Sequence, residues 1–182
     1  MKRRTIALGS TMLLIALLVV GGTMAWFSDK EEATNEFTAG TVEIEVKEHG
    51  FVDLGNINPG DVVTKNVSVK SKGSKQTYVR VALIPQWDPN NLSIDVVTLN
   101  TNTGDWIYQD GWYYYKKILK GEETSLLLTS ITFDKNMGDE YQDATFTVKV
   151  KAEGVQASHD AYKHVWRIDS LPEGVEPWNP TS

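Results

Sequence analysis

Alternation of period two, apolar then polar, runs through most of the chain from residue 42 onward. Val42, Ile44 and Val46 alternate with Glu43, Glu45 and Lys47, and Val63, Val67 and Val69 fall among Lys65, Asn66, Ser68 and Lys70. Phe146, Val148 and Val150 alternate with Thr145, Thr147, Lys149 and Lys151. This is the pattern of strands with one face in a core and one in water. Tyr78 to Ile84 differs: it is apolar on both faces except for Arg80, which predicts a strand covered on both sides. Leu92–Leu99, Trp106–Tyr108, Trp112–Leu119 and Leu126–Phe133 complete the set of predicted strands. Turn residues separate them: Asn58-Pro59-Gly60-Asp61, Lys72-Gly73-Ser74, Asp88-Pro89-Asn90-Asn91, Lys120-Gly121 and Met137-Gly138-Asp139. Asp110-Gly111, between Trp106-Ile107-Tyr108 and Trp112-Tyr113-Tyr114-Tyr115, is a hairpin signal. Short strands at this spacing predict an all-β, two-sheet sandwich. Val155–Trp166 is the one stretch read as helical, so the fold carries at most one or two short helices.

A different pattern precedes the strands. Lys2, Arg3 and Arg4 lead into an apolar run from Ile6 to Val20, then Gly21-Gly22 and Thr23-Met24-Ala25. A basic start, an apolar centre and small residues at the −3 and −1 positions describe a secretory signal cut between Ala25 and Trp26. An uncleaved membrane anchor is the alternative, since the apolar stretch extended through Phe27 approaches the roughly 20 residues of a bilayer crossing. Either way the remainder works outside the membrane, and contact with the membrane ends with cleavage. Removing residues 1–25 leaves 157 of the 182 residues, and because the leader carries three basic residues the formal charge moves from −6 to −9. That charge argues against nucleic acid as a partner. Cysteine is absent, which excludes disulfides, thiolate metal sites and a cysteine nucleophile. No wall-sorting pattern follows Leu171-Pro172-Glu173-Gly174, so attachment outside the cell is expected to depend on another protein.

Candidate chemistry is sparse. A zinc peptidase of the His-Glu-x-x-His type needs histidines at i and i+4. The three histidines here are His49, His159 and His164, the last two at i and i+5 and about 140° apart on a helix. There is no Gly-x-Ser-x-Gly elbow. Asp53, Asp61, Asp134, Asp139, Glu140 and Asp143 form no calcium-loop pattern and read as solvated turn residues. The sequence names no catalytic residue, metal site or cofactor, and the chain is read as not an enzyme. The aromatic hairpin 106–115 offers Trp106, Trp112 and Tyr114 as a surface for a partner or a glycan, against the plainer reading that its rings stabilise the sheet.

Thr-x-Ala followed by Trp26-Phe27-Ser28-Asp29, then Glu36-Phe37-Thr38-Ala39-Gly40-Thr41-Val42-Glu43-Ile44, resembles the start of the camelysin/TasA family of secreted proteins. Leu54-Gly55-Asn56-Ile57-Asn58-Pro59-Gly60-Asp61 with Lys65-Asn66-Val67-Ser68-Val69, and Ala144–Gln156, fit the same family in order. The resemblance implies a jelly-roll sandwich, export under a signal removed by a dedicated signal peptidase, and assembly into extracellular biofilm-matrix fibres. In such fibres the mature N-terminal segment completes a sheet of the next subunit. It also brings a metallopeptidase activity, to which the histidine spacing lends no support. The expected organisation is a signal over 1–25, a donor-strand segment over 26–36, a sandwich over 37–171 and a flexible tail over 172–182. Trp26, Phe27, Asp29, Ala33 and Phe37 are the expected interface residues. The chain's main partner is then itself, head to tail, with an accessory protein to anchor the fibre. Two alternatives remain: a monomeric adhesion or wall-binding module using the hairpin, and a secreted metallopeptidase.

Overall fold

The computed structural model describes residues 28–32, 42–50 and 53–180, and in them the predicted alternation becomes two antiparallel sheets packed face to face. Among the described residues there are ten strands: β1 (Ser28–Glu32), β2 (Ile44–Gly50), β3 (Asp53–Leu54), β4 (Val62–Ser71), β5 (Thr77–Asp88), β6 (Val97–Thr101), β7 (Trp106–Gln109), β8 (Trp112–Tyr115), β9 (Leu128–Phe133) and β10 (Thr145–Gln156). One sheet has the order β1-β10-β5-β8-β7, with β3 also paired to β10; the other has the order β2-β4-β9-β6. Most connections cross from one sheet to the other, and β7–β8 is a tight hairpin. The all-β sandwich anticipated from the pattern is therefore the fold.

The turns behave as their residues dictate. Asp110 and Gly111 both take positive φ, at 52° and 83°, which is the type I′ geometry that suits the twist of a two-residue hairpin. At Asn58–Asp61 the Asp61 N–H donates to the Asn58 carbonyl at 3.1 Å, with Gly60 at φ 86° after Pro59. Proline then glycine at the centre is the type II signature.

The inner faces meet in a core containing Val67, Val69, Val79, Val81, Trp87, Leu128, Ile131, Phe133, Phe146, Val148 and Val150. Trp87 is its centrepiece, with ring centroids of Phe146 at 4.9 Å, Tyr141 at 5.0 Å and Phe133 at 5.8 Å. Each such side chain contributes roughly 1.5–3 kcal/mol through burial, which is how a chain without disulfides supports the fold.

A second apolar cluster lies on the outer face of the β10-containing sheet: Tyr78, Tyr114, Val155, Ala157, Ala161 and Trp166. It accounts for the doubly apolar strand, since the segment after β10 folds back over this face. Here the structure departs from the expected boundaries. Strand β10 runs through Gln156, so the helix expected from Val155 is shorter: a 3-10 turn at Ser158–Asp160, then α1 (Ala161–Val165). The strand expected over Leu92–Leu99 begins at Val97, and that expected over Trp112–Leu119 ends at Tyr115. Finally, residues 172–178, expected as part of a flexible tail, lie against the sheet. Leu171, Val175 and Trp178 pack on the second cluster. The Tyr78 hydroxyl donates to the Glu176 carbonyl at 3.0 Å, and Glu176 N–H donates to the Lys116 carbonyl at 2.7 Å. Three spaced apolar residues, hidden in a Pro- and Glu-rich composition, are enough to dock the segment.

Candidate assembly edge

Strand β10 organises the side of the molecule on which β1 lies. Along one flank all twelve of its residues pair with β5, from Thr145 opposite Asp88 to Gln156 opposite Thr77. Its other flank is shared: β3 covers Phe146 and Thr147, and β1 covers Lys151 to Val155. Val148, Lys149 and Val150 fall between these two partners. The flank taken by β1 is an edge position, where main-chain donors and acceptors seek a strand.

The inner face of β10 is closed tightly at that end. Phe146, Val148, Val150 and Ala152 are buried in the core. At Gly154 a Cβ atom would stand 2.9 Å from Ile44 Cγ2, 3.3 Å from Thr77 Cγ2 and 3.5 Å from Val42 Cγ1. Glycine thus lets β2 of the opposite sheet approach β10 directly beneath the site where β1 pairs.

On the outer face a buried ion pair fixes the same stretch. Arg80 of β5 donates through Nε and Nη2 to Glu153 Oε2, at 3.0 and 2.7 Å, and through Nη1 to the Tyr114 hydroxyl at 3.3 Å. The side chains of Arg80 and Glu153 are 9% and 3% exposed. The guanidinium carbon lies 4.1 Å from the ring centre of Trp112 and 4.7 Å from that of Trp166, a planar cation held between two indole faces. Lys151 adds a second cation 3.8 Å from Glu153 Oε1. The sequence signalled Arg80 by isolating it in an apolar strand. Nothing in it singled out Glu153 among 24 acidic residues.

Strand β1 is antiparallel to β10, with Ser28 opposite Val155, Asp29 opposite Gly154, Lys30 opposite Glu153, Glu31 opposite Ala152 and Glu32 opposite Lys151. Of the expected interface residues only Asp29 is in this strand. Trp26, Phe27, Ala33 and Phe37, and the cleavage pair Ala25 and Trp26, lie outside the described residues.

The hairpin residues are not where a surface contact needs them. Trp106 is 1% exposed, packs at 5.0 Å on Tyr115, and donates its indole N–H to the Ser125 carbonyl at 3.3 Å. Tyr114 is 3% exposed beneath the C-terminal segment, and Trp112 is half-buried over Arg80. The pairing explains this. Trp106 opposite Tyr115 faces the core, while Trp112 and Tyr114 face the outer layer, which the C-terminal segment covers. Tyr108, packed at 4.8 Å on Tyr113 with the ring planes tilted by 49°, is the exposed ring of the hairpin.

Other candidates are dispersed. His49, one residue before the end of β2, is exposed, as is His164 in α1, and His159 stacks on Trp178 at 5.8 Å. Among the described residues no three His, Asp or Glu side chains gather as a metal-holding group. Asp61 and Asp134 serve their own turns, accepting from Asn58 N–H at 2.8 Å and Asn136 N–H at 2.7 Å. Glu45 bridges Lys47 and Lys72, at 2.5 and 2.8 Å, and these two ammonium groups hold its carboxyl down at about 2.

Comparison with known proteins bears on the N-terminal half. The family model described as camelysin metallo-endopeptidase matches residues 1–83. The protein named major biofilm matrix component, from Bacillus subtilis (strain 168), is 36% identical over 74 residues, covering 40% of this chain and 28% of that one. The chain thus spans less than a third of the length of that relative. No solved structure matches the chain significantly. The matched region takes in residues 1–25, β1, β2, the Pro-Gly-Asp turn, β4 and the first half of β5, and over these residues the chain is similar to the camelysin/TasA family.

Proposed function

We propose that this chain is a structural subunit of an extracellular biofilm matrix, exported under a leader removed between Ala25 and Trp26. Its subunits join by donating the segment that contains β1 to the β10 edge of the next copy. The observation that carries this reading is the pairing itself. Five residues at the start of the mature chain add to an edge strand through main-chain hydrogen bonds. An identical strand from a neighbour can make the same bonds. The segment Ser28-Asp29-Lys30-Glu31-Glu32 contains no apolar residue, so it brings no hydrophobic side chain to its own domain. The nine residues between Glu32 and Val42 give a reach of about 30 Å when extended, enough for the strand to leave. Trp26 and Phe27, next to it in sequence, are the anchors. Exchange of this kind is heterologous and does not close on itself, so it propagates as a filament. The relative's name, a major biofilm matrix component, supports the matrix role. The dedicated signal peptidase and an accessory anchoring protein are the further partners.

The test is to compare the chain starting at Trp26 with one lacking residues 26–35, by negative-stain electron microscopy and sedimentation. Filaments from the first and soluble monomers from the second are expected. Equal polymerisation of both would refute strand donation, and absence of filaments from either would refute the fibre role. Casein hydrolysis abolished by a chelator would instead favour the peptidase suggested by the family's name.

A further inference from the structure

The C-terminal segment builds a feature at the end of β10, just past the residues that pair with β1. It frames a cavity of about 290 Å³ at the end of the sheet, together with the turn at Ser74–Gln76 and the loop carrying Lys120. Gln156 and Ser158 contribute to its lining and Trp178 forms a wall. The chain as a whole is acidic, yet no carboxylate lines this cavity, and Lys75 and Lys120 at its rim make no ion pair among the described residues. Two exposed ammonium groups left without counter-charge on an acidic protein mark a place where negative charge is missing.

The frame is fixed before any ligand arrives. Thr77 and Leu119 exchange main-chain hydrogen bonds at 2.8 and 3.0 Å, setting the backbones that carry Lys75 and Lys120. Ala157 N–H donates to the Gln76 carbonyl at 2.7 Å. The Trp178 indole N–H donates to Gln76 Oε1 at 2.9 Å, and the His159 ring stacks against the same indole at an interplanar angle of 29°. Preorganised polar walls lower the ordering cost of binding.

We propose that this cavity binds an acidic polysaccharide, one or two carboxylate-bearing sugar units at a time. The ammonium groups would meet the carboxylates, the side chains of Gln156 and Ser158 the sugar hydroxyls, and the indole an apolar sugar face. The size agrees, since small-ligand sites begin near about 300 Å³. A nucleic acid fits less well. The chain's net negative charge repels a long polyphosphate, and one indole is not the row of stacking rings that single strands use. None of the lining residues is among those paired with β1, and the binding test below is read separately from polymerisation.

The probe is a hexameric oligogalacturonate, titrated into the mature chain at low salt and followed by calorimetry and by backbone amide shifts. Saturable binding that weakens with added salt is expected, with shifts at Ser74–Gln76, Lys120 and Ser158. The Lys75→Gln/Lys120→Gln double variant should bind about tenfold more weakly, or about 1.4 kcal/mol. Both lysines are exposed, so an unchanged thermal melt is expected and certifies the fold. Four results would overturn the proposal. These are no binding at millimolar probe, equal binding of a neutral glucose oligomer, an unaffected double variant, or equally tight binding of an oligothymidylate of the same charge.

Discussion

Replacing Arg80 by Gln tests whether the outer layer is held by its ion pair or merely by apolar cover. The substitution removes both N–H donors to Glu153 Oε2, the bond to the Tyr114 hydroxyl and the cation between Trp112 and Trp166. It strands a carboxylate whose side chain is 3% exposed. Breaking a buried pair by deleting one partner costs about 3–5 kcal/mol, because the remaining charge is left without compensation. Lys151, 3.8 Å from the other carboxylate oxygen and a third exposed, can move toward the vacancy, which favours the lower end of that range. At roughly 2–4 °C per kcal/mol for a chain of this size, the midpoint of thermal unfolding should fall by about 6–12 °C in a calorimetric scan. Replacing both members, Arg80→Met with Glu153→Met, should recover most of the loss, since a buried pair exchanged for packed apolar groups is often neutral. A single variant within 1 kcal/mol of the parent would refute the reasoning. So would a double variant no better than the single one, because the penalty would then not lie in an unpaired charge.

Two further outcomes follow from the geometry of β2. Gly154→Ala should destabilise by about 1–3 kcal/mol in denaturant titration, since the new methyl meets Ile44 Cγ2 at 2.9 Å; Ile44→Ala, which removes that methyl, should make the alanine tolerable. The Glu45 carboxyl, held at about 2 by Lys47 and Lys72, stabilises the fold above its ordinary value near 4.5 and loses that contribution as pH falls toward 2. Stability measured at pH 5 and pH 3 should therefore drop less in Glu45→Gln than in the parent, and an equal drop would contradict the assignment.

Much of the sandwich was legible in the sequence because alternation reports burial residue by residue. Val46, Val69, Val81 and Val150 each carry that signal locally, and Asp110-Gly111 encodes its hairpin in two residues. What escaped were relations between distant segments. The doubly apolar strand at Tyr78–Ile84 announced a cover on its outer face without saying what covered it. The covering segment, with Leu171, Val175 and Trp178 spaced among Pro, Glu and Asn, follows no period of strand or helix and so read as a tail. The same omission misplaced Trp112 and Tyr114. A ring on the outer face of a hairpin looks exposed until the layer above it is known. Arg80 was visible as an anomaly, but its partner lies 73 residues away, and no local pattern links them.

The two strands at the proposed assembly edge are held very unequally, and that inequality is what strand exchange requires. Strand β10 is fixed by twelve residues paired with β5, by core packing of Phe146, Val148 and Val150, by the Arg80–Glu153 pair and by the C-terminal cover over Val155. Strand β1 has five paired residues and an all-polar sequence. If both strands were firmly seated, exchange would have to unfold the domain; if both were loose, no groove would persist to receive a neighbour. With a rigid acceptor and a weakly seated donor, opening the edge disturbs little beyond β1. The bonds lost within one copy are regained between copies, so the balance between closed monomer and filament rests on what else the donor brings. In the exchange proposed here that extra contribution would come from Trp26 and Phe27, the two aromatic residues that signal cleavage would place at the start of the mature chain. On that proposal cleavage after Ala25 would act as the trigger for assembly, by freeing two aromatic residues that lie next to β1 in sequence.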